Sequence, residues 1–346
     1  HVLSRRQRQM CIRDSKYRGE EMISVNQKPT GSNFGAKSEP SEVLAGIELH
    51  GKNVIVTGGY SGIGLETTRA LKDCGARVIV PARRKDVAKT ALNGIIPSDD
   101  IVEMDLADIN SVQSFVDNFI DEGVSLDLLI NNAGVMACPE GRIGNEWERQ
   151  FGVNQIGHFV LTRGLMGVME KNEGSRFVSL SSSAHSLTSI LWDDIHFNET
   201  QYDKWVAYGQ SKTASSLIAI EFDRLMKDKG VRGYSVHPGG IMTPLQRHLD
   251  NEEMVALGWV KEDGSPSDMA ASFFKSTTQG ATTSLWCATN DALDDIGGVF
   301  CENCDVAVLK KEVDDSMKRF VGVADWAIDS EEATKLWETT EHMLNS

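Results

Sequence analysis

Short apolar runs recur along the chain, and the residues between them follow helical spacing. The first run, Val54, Ile55 and Val56, ends in glycines, as expected for a strand buried on both faces of a parallel sheet. A helix is predicted next, because apolar residues from Ile63 onward share one face until Gly75 supplies a C-terminal stop. Further strands are predicted at residues 78–80, 101–102, 128–130, 177–178, 234–236 and 298–301.

The alternation of strands and helices predicts the fold class. Parallel neighbours need crossover helices, so the pattern is typical of an α/β protein with a doubly wound parallel sheet. No internal repeat and no second series of this kind occurs, and we expect a single Rossmann-fold domain over residues 46–310 with its substrate loops. Residues 311–346 are expected to form a C-terminal extension, in which residues 330–344 have the pattern of an amphipathic helix.

The N-terminal 45 residues are not expected to contribute to this domain. Gly, Ser, Pro and Asn dominate residues 26–41, so residues 22–45 are predicted to be a flexible lead-in with little core to offer. Residues 1–21 contain RRQRQMCIRDS, which resembles translated sequencing-adapter sequence; on that interpretation the natural start is Met22. A genuine basic tail is the alternative, and in both cases we expect residues 1–21 to be a non-native or disordered tail.

Two long connections, residues 183–203 and 238–266, interrupt the alternation. Both leave the carboxyl ends of strands, where ligands bind in open α/β sheets, and long ordered loops are usually lids or binding loops. We expect these and neighbouring loops to line a substrate site, with simple packing as the alternative for each large side chain. Those side chains are Met136, Cys138, Trp192, Trp205, Met242 and Trp259.

A glycine-rich turn, TGGYSGIG over residues 57–64, separates the first strand from the first helix. Glycines allow a tight turn and a close approach of backbone to a pyrophosphate, and the helix N-terminus adds free N–H groups with partial positive charge. The turn therefore predicts a dinucleotide-binding site. Its members are Gly58, Tyr60, Ser61, Gly62, Ile63 and Gly64.

Tyr208 and Lys212 are four residues apart in a predicted helix and so share one of its faces. The pKa of free tyrosine, about 10, is too high for efficient acid–base catalysis at neutral pH. A neighbouring ammonium is expected to lower the pKa of Tyr208. The pair indicates proton transfer, with a surface Tyr and Lys one turn apart as the alternative.

These motifs, with NNAG at residues 131–134 and VHPGG at residues 236–240, resemble the short-chain dehydrogenase/reductase family in order and spacing, over roughly residues 50–305. Around the predicted active site, WVAYGQSK at residues 205–212 and HPGGIMTPLQRHL at residues 237–249 resemble the retinol-dehydrogenase-like branch and a set of bacterial oxidoreductases. The resemblance implies hydride transfer between a nicotinamide cofactor and an alcohol/carbonyl pair, with Tyr208 exchanging a proton with the substrate oxygen.

The resemblance also implies roles for other polar residues. The family serine that hydrogen-bonds the substrate oxygen matches Ser182, with Ser183 as the rival register. Asn154 matches the asparagine that anchors a water in the proton relay, although a purely structural helix residue is the alternative. Lys212 is implied to hold the nicotinamide ribose as well. His185 follows the serines, but the family has no catalytic histidine there, which favours a structural role.

The end of the second strand predicts the choice of cofactor. An acidic residue there would accept hydrogen bonds from the NAD ribose, whereas arginine accommodates the 2′-phosphate of NADP. Arg83 occupies this place and no carboxylate precedes Asp86, so we expect NADP(H), with a solvated basic turn as the alternative. The resemblance extends the cofactor site to Asp105, Leu106, Asn132, Ala133, Gly134, Tyr208, Lys212, Pro238, Gly239, Ile241 and Thr243.

Composition narrows the function further. A formal net charge of −15 disfavours nucleic-acid binding. No apolar run approaches the roughly 20 residues of a membrane span, and residues 1–21 lack the apolar core of a secretory signal, so we expect a cytoplasmic protein. Among six scattered cysteines only Cys301 and Cys304 have suggestive spacing. Because a zinc site needs two more ligands, reduced thiols are favoured there and no metal is expected.

We therefore predict an NADP(H)-dependent oxidoreductase acting on a small-molecule carbonyl or alcohol that is largely apolar. A catalytically silent dinucleotide-binding sensor or scaffold is one alternative, and the complete Ser, Tyr, Lys and Asn set argues against it. A nucleotide-sugar epimerase is the other, and the glycine spacing and lack of a sizeable C-terminal substrate domain argue against that. Many relatives are dimers or tetramers, so a homo-oligomer is expected unless the insertion before Tyr208 blocks one family interface.

Overall fold

The computed structural model describes Ser24 and residues 26–345, so the predicted tail of residues 1–21 lies outside the described part. The strands are β1 (Asn53–Val56), β2 (Arg77–Ala82), β3 (Ile101–Glu103), β4 (Leu128–Asn131), β5 (Arg142–Ile143), β6 (Trp147–Glu148), β7 (Arg176–Leu180), β8 (Arg232–His237), β9 (Val299–Glu302) and β10 (Asp305–Val306). The helices are α1 (Pro40–Val43), α2 (Gly62–Asp73), α3 (Lys85–Ala91), α4 (Ile109–Asp121), α5 (Arg149–Phe151), α6 (His158–Met169), α7 (Lys204–Met226), α8 (Asn251–Ala256), α9 (Asp268–Phe273), α10 (Thr277–Thr289) and α11 (Ser330–Asn345). A π-helical segment, Gly152–Gly157, joins α5 to α6.

The main sheet has eight strands in the order β10-β9-β8-β7-β4-β1-β2-β3. All neighbours in it are parallel except β9 and β10, while β5 and β6 form a separate antiparallel hairpin. The chain runs outward from β1 to β3 and restarts on the other side at β4. The carboxyl ends of β1 and β4 are thus the switch point at which open α/β sheets bind ligands. The doubly wound α/β fold is confirmed, and each predicted strand is present.

Alternate residues of the central strands face two separate apolar cores. Val54 and Val56 pack on one side, together with buried residues of α1, α2, α3 and α10. Ile55 packs on the other side, with residues of α4, α6, α7 and α11. Helices on both faces explain why these strands are continuous apolar runs rather than alternating ones.

The lead-in lies closer to the domain than its composition suggested. The side-chain amide of Gln27 donates to the carbonyls of Phe300 (3.0 Å) and Ala307 (2.8 Å), and its oxygen accepts from the Phe300 N–H at 2.8 Å. Val43 and Leu44 are 5% and 7% exposed and belong to the core. The lead-in therefore contributes to the core, because one buried amide satisfies the backbone of β9 and the next strand end.

The C-terminal extension shares the core of the domain. Its helix α11 corresponds to the amphipathic helix predicted over residues 330–344; it packs on α7 and touches α6. Trp337 meets Phe159 edge to face at 4.7 Å between ring centroids, and Gln155 donates to the Thr340 hydroxyl at 3.1 Å. The domain boundaries at residues 46 and 310 stay predictions. Within the described residues, no helix combines the length and apolarity needed to cross a membrane.

Candidate active site

The glycine turn lies at the switch point, and its backbone leaves little room for a side chain at Gly58 or Gly64. Gly58 adopts a φ of +66°, and a Cβ there would lie 3.0 Å from Ala133 Cα. A Cβ on Gly64 would lie 2.4 Å from the Gly58 carbonyl oxygen. The turn leads into α2, whose first residue is Gly62. A Cβ on Gly62 would lie 3.3 Å from Thr243 Cβ. Two of the predicted cofactor segments, residues 58–64 and 238–243, are thereby brought together.

The backbone after β4 is fastened to the end of β1. Thr57 Oγ1 accepts hydrogen bonds from the N–H groups of both Asn132 and Ala133, each at 2.9 Å. The Asn132 side chain donates to the Thr57 carbonyl at 2.9 Å. The predicted adenosine contact of Asn132 stays a prediction, and the structure assigns its amide to holding the two strand ends together.

A histidine that the sequence analysis did not single out connects this strand end to Asn154. His158 Nε2 lies 2.9 Å from Thr57 Oγ1, and its Nδ1 lies 3.0 Å from the Asn154 carbonyl oxygen. Burial lowers the pKa of His158 to about 4, so the ring is neutral at pH 7. The sequence carried no signal for this role, because the partners of His158 are a hydroxyl 101 residues away and a backbone carbonyl.

Asn154 occupies the π-helical segment, a distortion that often marks functional sites. Its side-chain oxygen accepts from the Val135 N–H at 2.8 Å, and its amide donates to the Val135 carbonyl and to Ser211 Oγ, both at 2.9 Å. A Cβ on Gly134 would lie 3.2 Å from the same oxygen. Asn154 therefore fixes the chain after β4 against α7, beside Lys212.

Helix α7 carries both Tyr208 and Lys212. It begins after Asp203, whose carboxylate accepts from the N–H groups of Trp205 and Val206. The Lys212 ammonium lies 5.8 Å from the Tyr208 ring centroid and donates to the Leu180 carbonyl at 2.8 Å. Both side chains are almost fully buried.

The three consecutive serines after β7 have different partners. Ser182 hydrogen-bonds the Tyr208 hydroxyl through its side chain. The Ser181 hydroxyl donates instead to the Lys212 carbonyl at 2.7 Å and accepts from Ser216. The Ser183 N–H donates to His237 Nδ1 at 3.1 Å. Of the three, Ser182 is the serine that the structure brings to Tyr208.

The electrostatics of the pair differ from the expectation from sequence. Burial raises the pKa of Tyr208 to about 12, and the hydrogen bond with Ser182 only partly opposes this. Burial also lowers the pKa of Lys212 to about 8. The predicted lowering of the Tyr208 pKa by a neighbouring ammonium was wrong, because both groups lose hydration and the loss disfavours each charged form.

The predicted adenosine-side residues follow β2 and β3. Arg83 comes directly after β2 and is exposed. Asp105 follows β3, and its carboxylate accepts from the Ala107 N–H at 2.9 Å. Leu106 is buried, and its carbonyl would lie 2.2 Å from a Cβ on Gly157. Arg83 is thus free to meet a ligand, whereas Leu106 packs against the π-helical segment.

Apolar side chains surround Tyr208 on the remaining side. The cluster consists of Met136, Ala137, Tyr208, Leu249, Ala184, Trp205, Leu245, Met254, Leu257 and Trp259. Ring centroids of Trp205 lie 6.3 Å from Tyr208 and 6.1 Å from Trp259. Met136, Trp205 and Trp259 were predicted from sequence, whereas Leu249 was not. Its signal, an apolar residue in an ordered loop, was too weak to distinguish it from packing.

Other predicted pocket residues lie elsewhere or are buried. Trp192 donates to Glu332 at 2.7 Å, and the Lys335 ammonium lies 4.0 Å from the Trp192 ring centroid. Trp192 therefore packs on α11. Met242 is 43% exposed. Cys138 is buried, and burial raises the pKa of its thiol, which disfavours a nucleophilic role at pH 7.

Cys301 and Cys304 are free, buried thiols at the β9–β10 turn. Cys304 has a φ of +59°, and its sulfur lies 3.8 Å from Thr283 Oγ1. In the described part of the chain, no group of three His, Cys, Asp or Glu residues is arranged to hold a metal ion. The cysteine pair thus belongs to the packing of β9 against α10.

Comparisons with known proteins agree over most of the chain. Residues 52–254 match the family described as short chain dehydrogenase. A "probable oxidoreductase" of Streptomyces antibioticus is 36% identical over 301 residues, which cover 84% of this chain and 97% of that protein. Retinol dehydrogenase 12 of Mus musculus is 35% identical over 263 residues, 75% of this chain and 79% of that protein. A crystal structure of an uncharacterized protein from Mycobacterium paratuberculosis superposes with a TM-score of 0.64 at 28% identity, covering 87% of this chain and 96% of that one.

Proposed function

Because the chain belongs to the short-chain dehydrogenase/reductase family and resembles retinol dehydrogenases, we propose that it interconverts an alcohol and a carbonyl with NADP(H), on a small and largely apolar substrate. The observation that carries the proposal is that Ser182, Tyr208 and Lys212 lie next to one another beside the switch point of the sheet. An oxidoreductase is what the family implies, and the choice of cofactor, acid and substrate is our proposal. A cytoplasmic location also stays a prediction.

The glycine turn fits a dinucleotide. Added Cβ atoms at Gly58 and Gly64 would collide with backbone, so this surface is shaped for contact by backbone rather than by side chains. The N-terminus of the twelve-residue helix α2 faces the same place and carries no acidic residue in its first turn. Both features favour a pyrophosphate there. A nicotinamide cofactor bound in this way supplies or accepts the hydride.

Tyr208 is proposed to hold and move the proton at its Oη atom. With a pKa of about 12 the phenol is protonated at pH 7, which is the form needed to donate to a substrate oxygen during carbonyl reduction. Ser182 hydrogen-bonds that hydroxyl, which supports our proposal that it binds the same substrate oxygen. Lys212, with a pKa of about 8, carries its positive charge at pH 7, at 5.8 Å from the Tyr208 ring centroid.

The substrate class is inferred from the cluster around Tyr208. Met136, Leu249 and Trp205 are among its members, and the cluster offers many apolar atoms and few polar ones. The indole Nε1–H of Trp205 already donates to the Glu253 carboxylate at 2.9 Å. A polar substrate would therefore lose hydration without finding partners, which favours an apolar aldehyde, ketone or alcohol.

The test is NADPH oxidation with a panel of apolar aldehydes and ketones, by the parent protein and by Tyr208→Phe. We expect the variant to bind NADPH normally and to lose roughly 10²–10⁴-fold in kcat, the range of general acid–base catalysis. Tyr234→Phe is the matched control, since it removes another buried hydroxyl, which donates to the Leu293 carbonyl at 2.8 Å. Near-normal turnover by Tyr208→Phe would exclude Tyr208 as the acid. NADPH binding without turnover of any substrate by the parent would favour the sensor alternative.

A further inference from the structure

A short segment of the C-terminal extension contacts the loops around Tyr208. We call residues 319–324 the C-terminal brace. Phe320 stacks on Phe273, with 4.4 Å between ring centroids and 8° between planes. Arg319 donates to the Leu257 carbonyl at 2.7 Å. The brace thus touches the connection that carries the apolar cluster.

His185 ties the brace to the catalytic serine. Its Nε2 accepts from the Ala324 N–H at 3.0 Å, and a backbone N–H can only donate. Nε2 must therefore be unprotonated, so that Nδ1 carries the hydrogen and donates to the Ser182 carbonyl at 2.6 Å. The ring is fully buried, and burial lowers its pKa to about 4.

His237 makes a similar bridge with the opposite tautomer. Its Nδ1 accepts from the N–H of Ser183 at 3.1 Å and from that of Gly239 at 3.4 Å. Nε2 therefore carries the hydrogen and donates to the Phe320 backbone carbonyl. One imidazole thus joins the serine segment, the proposed cofactor segment and the brace.

A third buried side chain completes the attachment. Glu302 Oε1, at the end of β9, accepts from the Gly322 N–H at 2.7 Å. Phe320, Gly322 and Ala324 are alternate residues, and each is held by a different buried side chain of the domain. On its other edge the brace pairs with residues 308–310, through Lys310 N–H to the Val323 carbonyl at 2.7 Å. The segment is held on both edges and so can act as a rigid support.

We infer that His185 and His237 are positioning residues, through which the C-terminal brace sets Ser182 and the residue 238–243 segment in their reactive geometry. The inference rests on the proposed function, because it assumes that Ser182 and Tyr208 act on the substrate. Each imidazole has one accepting and one donating nitrogen in use. Removal of either ring breaks its connection to the brace, whereas protonation breaks the bond at the accepting nitrogen, which is the one to Ala324 for His185 and those to Ser183 and Gly239 for His237. A displacement of about 1 Å in a catalytic group can cost on the order of 100-fold in rate.

Two substitutions cut the same connection from opposite sides. His185→Asn retains an amide near the position of Nδ1 for the Ser182 carbonyl and loses the reach to Ala324. Ala324→Pro removes the donor N–H, and the φ of −74° at Ala324 is one that proline adopts. We expect each to lower kcat by roughly 10–100-fold while the Kd for NADPH changes less than about twofold. Lys311→Met is the control, because it breaks only the exposed ion pair with Asp325 beside the brace.

The double variant distinguishes positioning from general destabilisation. If both substitutions remove one connection, His185→Asn combined with Ala324→Pro should have the kcat of the worse single variant. Multiplying effects, or folded single variants with the parent kcat, would overturn the inference. If Ala324→Pro does not fold, His237→Asn serves as a second single variant with the same expected loss of kcat, since it keeps the acceptor for Ser183 and loses Phe320. Normal kcat in these variants with an inactive Tyr208→Phe would reject the brace alone, whereas an active Tyr208→Phe would reject the proposed function.

Discussion

The Thr57 hydroxyl accepts hydrogen bonds from two backbone N–H groups. This fixes the donor and acceptor of each hydrogen bond that links Thr57 through His158 to Asn154. Its lone pairs are both in use, so its own hydrogen must go to His158 Nε2. His158 Nδ1–H then donates to the Asn154 carbonyl. A neutral histidine thereby joins the end of β1 to the π-helical segment, with both of its ring nitrogens hydrogen-bonded.

Residue types that define the chemistry were predictable, whereas residues that orient them were not. Tyr208 and Lys212 have a spacing that carries information by itself. His158 and His237 act through partners far away in sequence, Thr57 for the former and Phe320 for the latter. The sign of the Tyr208 pKa shift was missed for a related reason, since the loss of hydration depends on the surrounding packing and not on the spacing.

We expect the cofactor preference to depend on a single exposed side chain. Arg83 follows β2 directly and is open to solvent. A charge-assisted hydrogen bond to a 2′-phosphate is worth about 1.5–3 kcal/mol, so NADPH should bind roughly 10–100-fold tighter than NADH. Added salt should reduce the difference, because an exposed ion pair is screened. Fluorescence titration of both cofactors measures it.

Arg84→Asp is the matched control for Arg83→Asp, since it makes the same charge change one residue further along at another exposed position. Arg83→Asp should reverse the preference, because it repels the phosphate and offers an acceptor to the free ribose hydroxyls. Arg84→Asp should retain the order. Equal affinities of the parent protein for the two cofactors would show that Arg83 does not contact the ligand.

At the scale of elements, the helices and strands that could be predicted are those determined by the local pattern of apolar and polar residues. Strands β1, β2 and β4 are apolar runs because helices cover both faces of the sheet, and the runs are visible without the fold. The π-helical segment was not predicted, because its geometry depends on the contacts of Asn154 with Val135 and Ser211, which are distant in sequence. The β5–β6 hairpin and the brace were missed likewise. Each has few residues and depends on partners distant in sequence.

Helix α11 is expected to contribute substantially to stability. Trp337 is 9% exposed and packs edge to face on Phe159 of α6. Trp337→Ala should lower the free energy of unfolding by about 3–5 kcal/mol, as expected for removal of a large buried aromatic side chain. Glu338→Ala, at the next and exposed position, should change it by less than about 0.5 kcal/mol. Urea unfolding followed by circular dichroism compares the two, and equal effects would mean that α11 is not part of the cooperative unit.

At the scale of the whole molecule, α11 also bears on assembly. It covers α6 and α7, and α7 is buried along most of its length. From sequence, a homo-oligomer was expected unless the insertion before Tyr208 blocks one family interface. In the structure that insertion is fastened to the domain, through Leu191 N–H and Ile195 carbonyl bonds to Gln210 at 2.8 and 2.9 Å. A homo-oligomer stays a prediction, and any interface on this side would have to accommodate α11.

Several buried titratable groups together predict how stability depends on pH. Burial lowers the pKa of His158, His185 and His196 from 6.5 to about 4, and that of His237 to about 3. Between pH 6.5 and 4 the unfolded chain therefore binds four protons that the folded protein excludes, and folding weakens as pH falls. Glu302 acts in the opposite sense, because burial raises its pKa from 4.5 to about 7 and the folded state keeps a proton that the unfolded chain releases.

The net difference is about three protons, which corresponds to a loss of about 4 kcal/mol per pH unit below roughly pH 6. A stability near the lower end of the usual range of about 5–15 kcal/mol is therefore expected to be lost near pH 4–5. Urea unfolding at pH 7, 6 and 5 measures the slope. Glu302→Gln should make it steeper by one proton, about 1.4 kcal/mol per pH unit, because the opposing group no longer titrates. A free energy of unfolding that stays constant from pH 6.5 to 5 would show that the folded protein admits protons to these histidines, and the fixed tautomers on which the brace depends would then be lost.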